Sequence, residues 1–462
     1  MAVRSLGRPS FSARATALTA SLSSAATLVL AAALPILFLH VRYQPGFTIS
    51  AGSTSVHVVL SDIAVLAVAA SALYVWVVER PPLGPGRWVW LASVAFLAWD
   101  FAAVVYPRWL DESYDWHAHL VTAGKLAEYA LLAPAVVVLV RRRADLELVL
   151  GVLVAWSVAA SAVAVVQFFG WRILAGWPTG WRQPSFIGHH DLAALSGAAG
   201  SIALVWLAFP RRGWGRLAAS AAVAGAVGLI LSGSTAGAIG FGLAAAAAYA
   251  AGRWRGAASR RRLAAIVCLP LVVVAGLVPL RSGDVGHLLR YFGIGPKEKE
   301  RNVETLVQRT LLIYIGWRIF LDHPAVGAGF QSSLEHSVYS PYLADAQERF
   351  PSSPPRAFPS REHPWGVQNL YVQTLAETGV IGFALLVSVF AAGLVLAARR
   401  AWRGPPEVAV LAALWLLVCI GVWNALGTIA GIPTDALTWL ALGLAAAAAA
   451  RRDLGLADPR SP

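Results

Sequence analysis

The sequence predicts an all-α, polytopic integral membrane protein, and three observations carry that expectation. Of 462 residues, 58% belong to the hydrophobic set and only 13% are charged, with a mean hydropathy of +0.63. Soluble chains run at about 45–50% apolar and about 25% charged. The apolar residues are gathered into about twelve runs, most of them near the ~20 residues that cross a hydrocarbon core of ~30 Å. Finally, the basic residues collect in alternate connections between runs, the asymmetry that orients membrane helices. The excess of 37 basic over 24 acidic residues, +13 in all, would suggest nucleic acid in a soluble chain. Here it belongs to the loops of a protein dissolved in lipid, and no nucleic-acid partner is expected.

In chain order the expected spans lie near 17–40, 54–78, 88–106, 118–140, 146–170, 189–209, 217–232, 235–251, 263–280, 369–396, 407–426 and 433–450. The first follows Arg4, Arg8 and Arg14 but is too long for a secretory h-region, so it reads as a retained helix. With the N-terminus in the cytoplasm, every second connection carries the arginines: Arg80 and Arg87, then Arg141 to Arg143, Arg211, Arg212 and Arg216. The series continues with Arg253, Arg255 and Arg260 to Arg262, then Arg399, Arg400 and Arg403, and Arg451 and Arg452. The short opposite connections offer only Arg42, Arg108, Arg172 and Arg182, and one of them carries Asp111, Glu112 and Asp115. Both termini are therefore expected in the cytoplasm of a multi-pass inner-membrane protein. Cys268 and Cys419 both lie in apolar runs and read as packing residues, without a disulfide.

This divides the chain into helices 1–9 over 1–280, a large extracytoplasmic loop over 281–364, and helices 10–12 with a cytoplasmic tail over 365–462. The loop holds ten basic and nine acidic residues. Its stretch from Glu304 to Phe320 reads as an amphipathic helix with Leu306, Ile313 and Phe320 one heptad apart, lying on the membrane or capping the bundle. Long loops in compact proteins are often functional, so the chemistry is expected here.

No phosphate-binding Gly-x-x-x-x-Gly-Lys-Ser/Thr loop and no HExxH zinc helix occurs. His189, His190 and Asp191 are adjacent in the chain; consecutive residues of a helix diverge, so the trio reads as a helix start and not as a metal site. Ionisable residues within spans need a reason. Lys125 and Glu128, three apart, can pair with each other; Asp62 and Asp100 can cap and pack or carry protons; Asp435 begins the last span and reads as its N-cap region; Glu377 lies in the tenth span, within about three turns of the long loop. The outer cations are the more informative set, because Arg binds phosphate oxygens bidentately. Arg182 precedes a span, Lys297, Lys299 and Arg301 precede the amphipathic segment, and Arg309 and Arg318 lie on it. The latter two are nine residues apart, about two and a half turns, so they do not face one phosphate from a straight helix.

Five stretches in a fixed order bring a family into view. They are Arg182-Gln-Pro-Ser-Phe-Ile-Gly entering a span, the tight turn Leu231-Ser-Gly-Ser-Thr-Ala-Gly237, and one large late outer loop. Next come Arg309 with the later His323-Pro-Ala-Val-Gly-Ala-Gly329, and Gln368-Asn369 followed after nine residues by Gly379 and then Gly382. Together they resemble the O-antigen ligase and O-antigen polymerase superfamily of membrane glycosyltransferases. The chain departs from the ligase pattern at Gln368, where ligases carry His, and at Thr235, where many members carry Arg.

The resemblance implies an enzyme that needs no metal and no nucleotide cofactor. A polyprenyl-diphosphate-linked glycan would bind with its diphosphate against Arg182 and Arg309, with Arg318 as a further cation, and an acceptor sugar hydroxyl of a glycan or glycolipid would attack. Gln368 and Asn369 would hydrogen-bond sugar or acceptor. Gln is no base near neutral pH, so His363, five residues upstream, is the first candidate base and Glu377 the second. Two other classes compete: a transporter of polysaccharide or lipid-linked sugar, against which the lack of internal repeats speaks, and an inactive subunit of a glycan-export complex.

Overall fold

The computed structural model describes residues 25–51, 54–109, 114, 116–174, 176–211, 213–281, 305–428 and 430–451. Lys297, Lys299, Arg301, Asp111, Glu112, Asp115 and the early part of the first expected span lie outside them. The chain is an all-α polytopic membrane protein: ten helices among the described residues are long and apolar enough to cross a bilayer, and two shorter apolar helices stand at the first and eleventh expected positions. The order is α1 (Ala25–Leu37), α2 (Leu60–Glu79), α3 (Arg87–Val105), α4 (Trp116–Ala130), α5 (Leu132–Leu139), α6 (Arg143–Phe168) and α7 (His189–Ala208). There follow α8 (Gly215–Ser232), α9 (Thr235–Trp254), α10 (Arg260–Leu280), α11 (Thr305–Asp322), α12 (Leu370–Arg403), α13 (Glu407–Trp423) and α14 (Pro433–Ala450). α4 and α5 form one span, interrupted at Leu131. Pro134 explains the interruption, since it brings no N–H to the Ala130 carbonyl and its ring crowds that position.

α7 and α14 are the most enclosed, each about 89% buried over its apolar window. In lipid, helices associate through small residues that let backbones approach, and α7 is rich in them. A Cβ on Gly225 of α8 would stand 2.8 Å from Gly200 Cα of α7, and one on Gly421 of α13 would collide with Gly240 of α9. The core is accordingly Ala, Gly and Leu at helix crossings.

Three expectations are corrected. The second span does not begin at 54: Thr54–Val59 is a strand, paired antiparallel with Gly46–Ala51, Phe47 opposite Val58 and Ile49 opposite Val56. Alternation of β-branched residues with Ser and His in TSVHVV suits a pleated edge better than a helix, and hydropathy alone merged it with α2. Lys125 does not pair with Glu128; its Nζ donates to Asp62 Oδ2 at 2.8 Å across to α2, while Asp62 also accepts from Val59 N at 3.0 Å. Cys419 is buried as expected, but Cys268 is exposed on α10.

The two sets of connections gather at opposite ends of the bundle. At one end the arginines tie helix termini together: Arg141 with Glu79, Arg211 with Glu407 at 2.9 Å, Arg255 on the Ala401 and Gly404 carbonyls, Arg400 on Ala448 O at 2.8 Å. At the other end His40 N reaches Phe186 O, Gln183 N reaches Leu231 O, and Phe330 N reaches Ala103 O. The loop residues described from Thr305 on belong to this second end, with Phe330 N on Ala103 O.

Candidate active site

The site is assembled on a broken helix. Within α12 the backbone at Gly379 (φ 67°, ψ −169°) leaves helical geometry, in a region that is essentially glycine-only. The break frees carbonyls that an intact helix would use, and the Gly327-Ala-Gly329 turn takes them: Ala328 N donates to Ala376 O at 2.9 Å and Gly329 N to Glu377 O at 2.8 Å. In return, Val380 N donates to Pro324 O at 2.9 Å, and Trp99 Nε1 takes Thr378 O at 3.0 Å. Gly327 (φ +76) and Gly379 also lie where any Cβ would strike the opposing backbone. The two glycine patterns read from the sequence are thus the two halves of one joint.

Glu377 completes the joint. Its carboxylate, 1% exposed, accepts from Gln331 N at 3.0 Å, from Gln373 Nε2 at 2.7 Å and from the Ser333 hydroxyl. Gln373 in turn accepts from Thr428 N at 2.6 Å, linking the joint to the α13–α14 connection. The joint holds α11 above α12. α11 caps the bundle through Leu311, Leu312, Ile315 and Ile319, which pack with Tyr339, Ala346, Phe350, Phe358 and Ala376. This buried face is not the expected Leu306–Ile313–Phe320 stripe: Ile313 and Phe320 are only half-buried, because the helix is covered by its own loop as well as by the bundle.

From that platform Arg309 enters a polar cluster. Its Nε donates to Gln368 Oε1 at 3.2 Å, and its Nη2 lies 2.6 Å from His190 Nε2 on the first turn of α7. His190 Nδ1 is 3.1 Å from Ser234 Oγ, and Ser234 caps α9 by accepting from Gly237 N at 3.1 Å. The His189 ring packs 3.9 Å from the His190 ring and 4.9 Å from Trp177, and the Arg182 guanidinium lies 4.4 Å over the Trp177 ring. Arg182 is fixed by the turn after α8: a Cβ on Gly233 would stand 2.6 Å from Arg182 Cβ. The charges of Arg182, Arg309 and Arg281, the residue after α10, all bear on the two histidines. Arg182, before α7, and Arg309, on α11, thus stand beside the imidazole pair.

Beside His189 opens a cavity of about 320 Å³, lined among others by His40, Arg42, Tyr43, Trp177 and Ser185. Burial, and then the Arg42 charge, push the His40 imidazole below the usual histidine range. A neutral ring there can both donate and accept, as a sugar hydroxyl requires. His189 Nε2, also lining the cavity, is buried with no hydrogen-bond partner among the described residues.

Not every expected residue reaches this cluster. Arg182, Arg309 and Gln368 do. Arg318 turns instead to Asp345, at 3.4 Å, as the nine-residue spacing requires. Asn369 is the N-cap of α12: its Oδ1 accepts from Val372 N at 3.0 Å and its Nδ2 donates to Asn424 Oδ1 at 2.6 Å and Asn424 O at 3.1 Å, so its amide ties the start of α12 to the end of α13. His363 is exposed, with its ring 6.1 Å from Trp365 and its N–H on Ser360 Oγ at 3.1 Å. The imidazole that meets Arg309 is His190, which sequence reasoning set aside as a helix start. α7 does start there, but Asp191 spends its carboxylate on Thr434 of α14, at 3.0 Å from N and 2.7 Å from Oγ1.

Residues 220–387, from α8 through the break in α12, match the family model described as O-antigen ligase. The match spans 168 of the 462 residues, and over that stretch the chain is similar to the O-antigen ligase family. No curated protein matches the chain. The matched segment holds the Ser234 cap, Arg281, α11 with Arg309, the glycine joint and Gln368. Arg182, Trp177 and the histidine pair come from before it, so the cluster also draws on residues outside the matched segment.

Proposed function

We propose that this protein transfers a glycan from a polyprenyl-diphosphate donor to an acceptor sugar hydroxyl at the outer face of a cytoplasmic membrane, as an O-antigen ligase or a surface-polysaccharide polymerase. The observation that carries the reading is the convergence of Arg309 on His190 and of Arg182, stacked over Trp177, beside His189. Preorganised cations in a partly desolvated site favour a ligand whose charge grows as it leaves, and a diphosphate departing from a sugar is such a ligand. An apolar groove of about 510 Å³ between α6 and α8 supports the same donor. Its upper wall, Val227, stands six residues or about 9 Å below Gly233, a suitable track for a polyprenyl tail whose head lies at Arg182.

In the reaction the acceptor oxygen forms a bond to the anomeric carbon as the bond from that carbon to the diphosphate oxygen breaks. The electron pair leaves with the diphosphate, where Arg182 and Arg309 meet it. The cavity beside His189 receives the sugar next to the diphosphate. The hydroxyl proton passes to a base; His363, exposed before α12, is open to an acceptor arriving from outside the bundle. Glu377 acts by holding the loop joint and so sets where α11 presents Arg309. Ligase and polymerase share this donor chemistry and differ in the acceptor.

Purified protein in vesicles, given a lipid-linked glycan donor and a glycan acceptor, tests the class of activity. Transfer to the acceptor, with release of polyprenyl diphosphate, is the expected result. Movement of the donor across the bilayer without transfer would establish the transporter instead, and neither activity would leave a binding subunit.

A further inference from the structure

We infer that the cavity beside His189 selects a donor whose diphosphate-linked sugar carries a carboxylate, and that Arg42 is the cation that recognises it. The inference rests on the donor reading above and deepens it by naming the class of sugar.

Charge argues it first. The short outer connections hold only Arg42, Arg108, Arg172 and Arg182, and an outer arginine runs against the positive-inside tendency. Arg42 lines the cavity, and no Asp or Glu lines it among the described residues. Its guanidinium lies 5.6 Å from the Tyr43 ring centroid and pairs with no described carboxylate. Asp191 comes close to Gly188, but that side chain is 8% exposed and bound to Thr434 of α14.

The hydrogen-bond roles argue it next. Arg42 N donates to His40 Nδ1 at 3.2 Å. A ring that accepts at Nδ1 is neutral and carries its proton on Nε2, and burial and the Arg42 charge favour the same form. His40 and Arg42 therefore offer the cavity N–H donors. An ionised carboxylate only accepts, and its two oxygens suit the guanidinium fork. A hydroxymethyl group at the same carbon brings one oxygen, no charge and a proton of its own to place.

Size and rigidity complete the case. About 320 Å³ is at the low end of the ~300–1,000 Å³ of small-molecule sites, which suits one sugar ring better than an oligosaccharide. The wall that carries Arg42 is built in advance: His40 N holds Phe186 O at 3.0 Å, and Gln44 joins Leu39 O at 2.6 Å to Ser61 N at 2.7 Å. Donors fixed in this way lose less freedom when a ligand arrives.

The test is binding of three lipids to the full-length protein in nanodiscs: undecaprenyl diphosphate linked to glucuronic acid, the same lipid linked to glucose, and the lipid without sugar. Wild type should bind the glucuronyl lipid about tenfold more tightly than the glucosyl lipid. That is the low end for hydrogen bonds to a charged group, because Arg42 is exposed. In Arg42→Gln the ratio should fall below about threefold, through loss of affinity for the glucuronyl lipid. Equal binding of the two sugar lipids by wild type overturns the inference and leaves the donor reading standing. A preference that survives in Arg42→Gln also overturns it, as does an equal loss for the lipid without sugar, which would give Arg42 to the diphosphate. Arg42→Ala takes the place of a Gln variant that does not melt like wild type. Failure of wild type to bind any of the three lipids overturns the donor reading and the inference with it.

Discussion

Arg309 shows how much one side chain is asked to do. It spends Nε on Gln368 and Nη2 on His190, and the proposed mechanism asks it also to meet the departing diphosphate. A lysine has one nitrogen and no planar fork, so Arg309→Lys keeps the charge but loses the double tether. Transfer is expected to fall by about 10²-fold, within the range for losing one preorganised donor at a developing anion, with little change in melting temperature. Initial rates with purified protein measure it, and a Lys variant as active as wild type would show that charge alone suffices. His363→Ala tests the base in the same assay: general base catalysis is worth about 10²- to 10⁴-fold, and full activity would remove that residue from the mechanism. At this scale the presence of Arg182, Arg309 and Gln368 in the polar cluster was legible from the sequence, because residue type and the family motif single them out. His190 was not. Its partners Arg309 and Ser234 lie 119 and 44 residues away, and chain adjacency to His189 and Asp191 drew attention to a metal instead.

Among the elements, the joint between the Gly327–Gly329 turn and the break in α12 matters most, since it fixes α11 and therefore Arg309. Gly379→Ala adds a Cβ against the Ala325 carbonyl at a backbone conformation that L residues avoid. Strain at such positions costs about 1–3 kcal/mol, with overpacking added. The variant should melt at lower temperature and lose transfer, because the loop is displaced. Calorimetry or dye-based melting in detergent checks this; an unchanged melting temperature would mean that the break tolerates a side chain. The helices themselves were legible as apolar runs of membrane length. What hydropathy does not encode is where such a run stops being helical: the strand Thr54–Val59 and the break at Gly379 both fall inside expected spans. The first is a matter of β-branched alternation and the second of a helix giving up its carbonyls to a turn some fifty residues earlier. The glycines were visible as a motif, but their mutual docking was not.

Over the whole molecule, charge placement and structure agree. The alternate connections that carry the arginines share one end of the bundle, where Arg141, Arg211, Arg255 and Arg400 fasten helix ends, and the polar cluster occupies the other. The positive-inside rule predicts the arginine end in the cytoplasm and the polar cluster outside. A green fluorescent protein fused after residue 451 should fluoresce, and alkaline phosphatase fused there should be inactive; the reverse would invert the protein and place the site in the cytoplasm. The net +13 thus lies chiefly at the arginine end, and the proposed mechanism asks chemistry of only a few cations at the other. Those cations permit the most direct measurement of the central claim. With purified protein and a polyprenyl-diphosphate-linked glycan, Arg182→Ala and Arg309→Ala should each lose at least about 10²-fold in transfer while melting like wild type. Wild-type rates in both variants would contradict a diphosphate site built from these arginines.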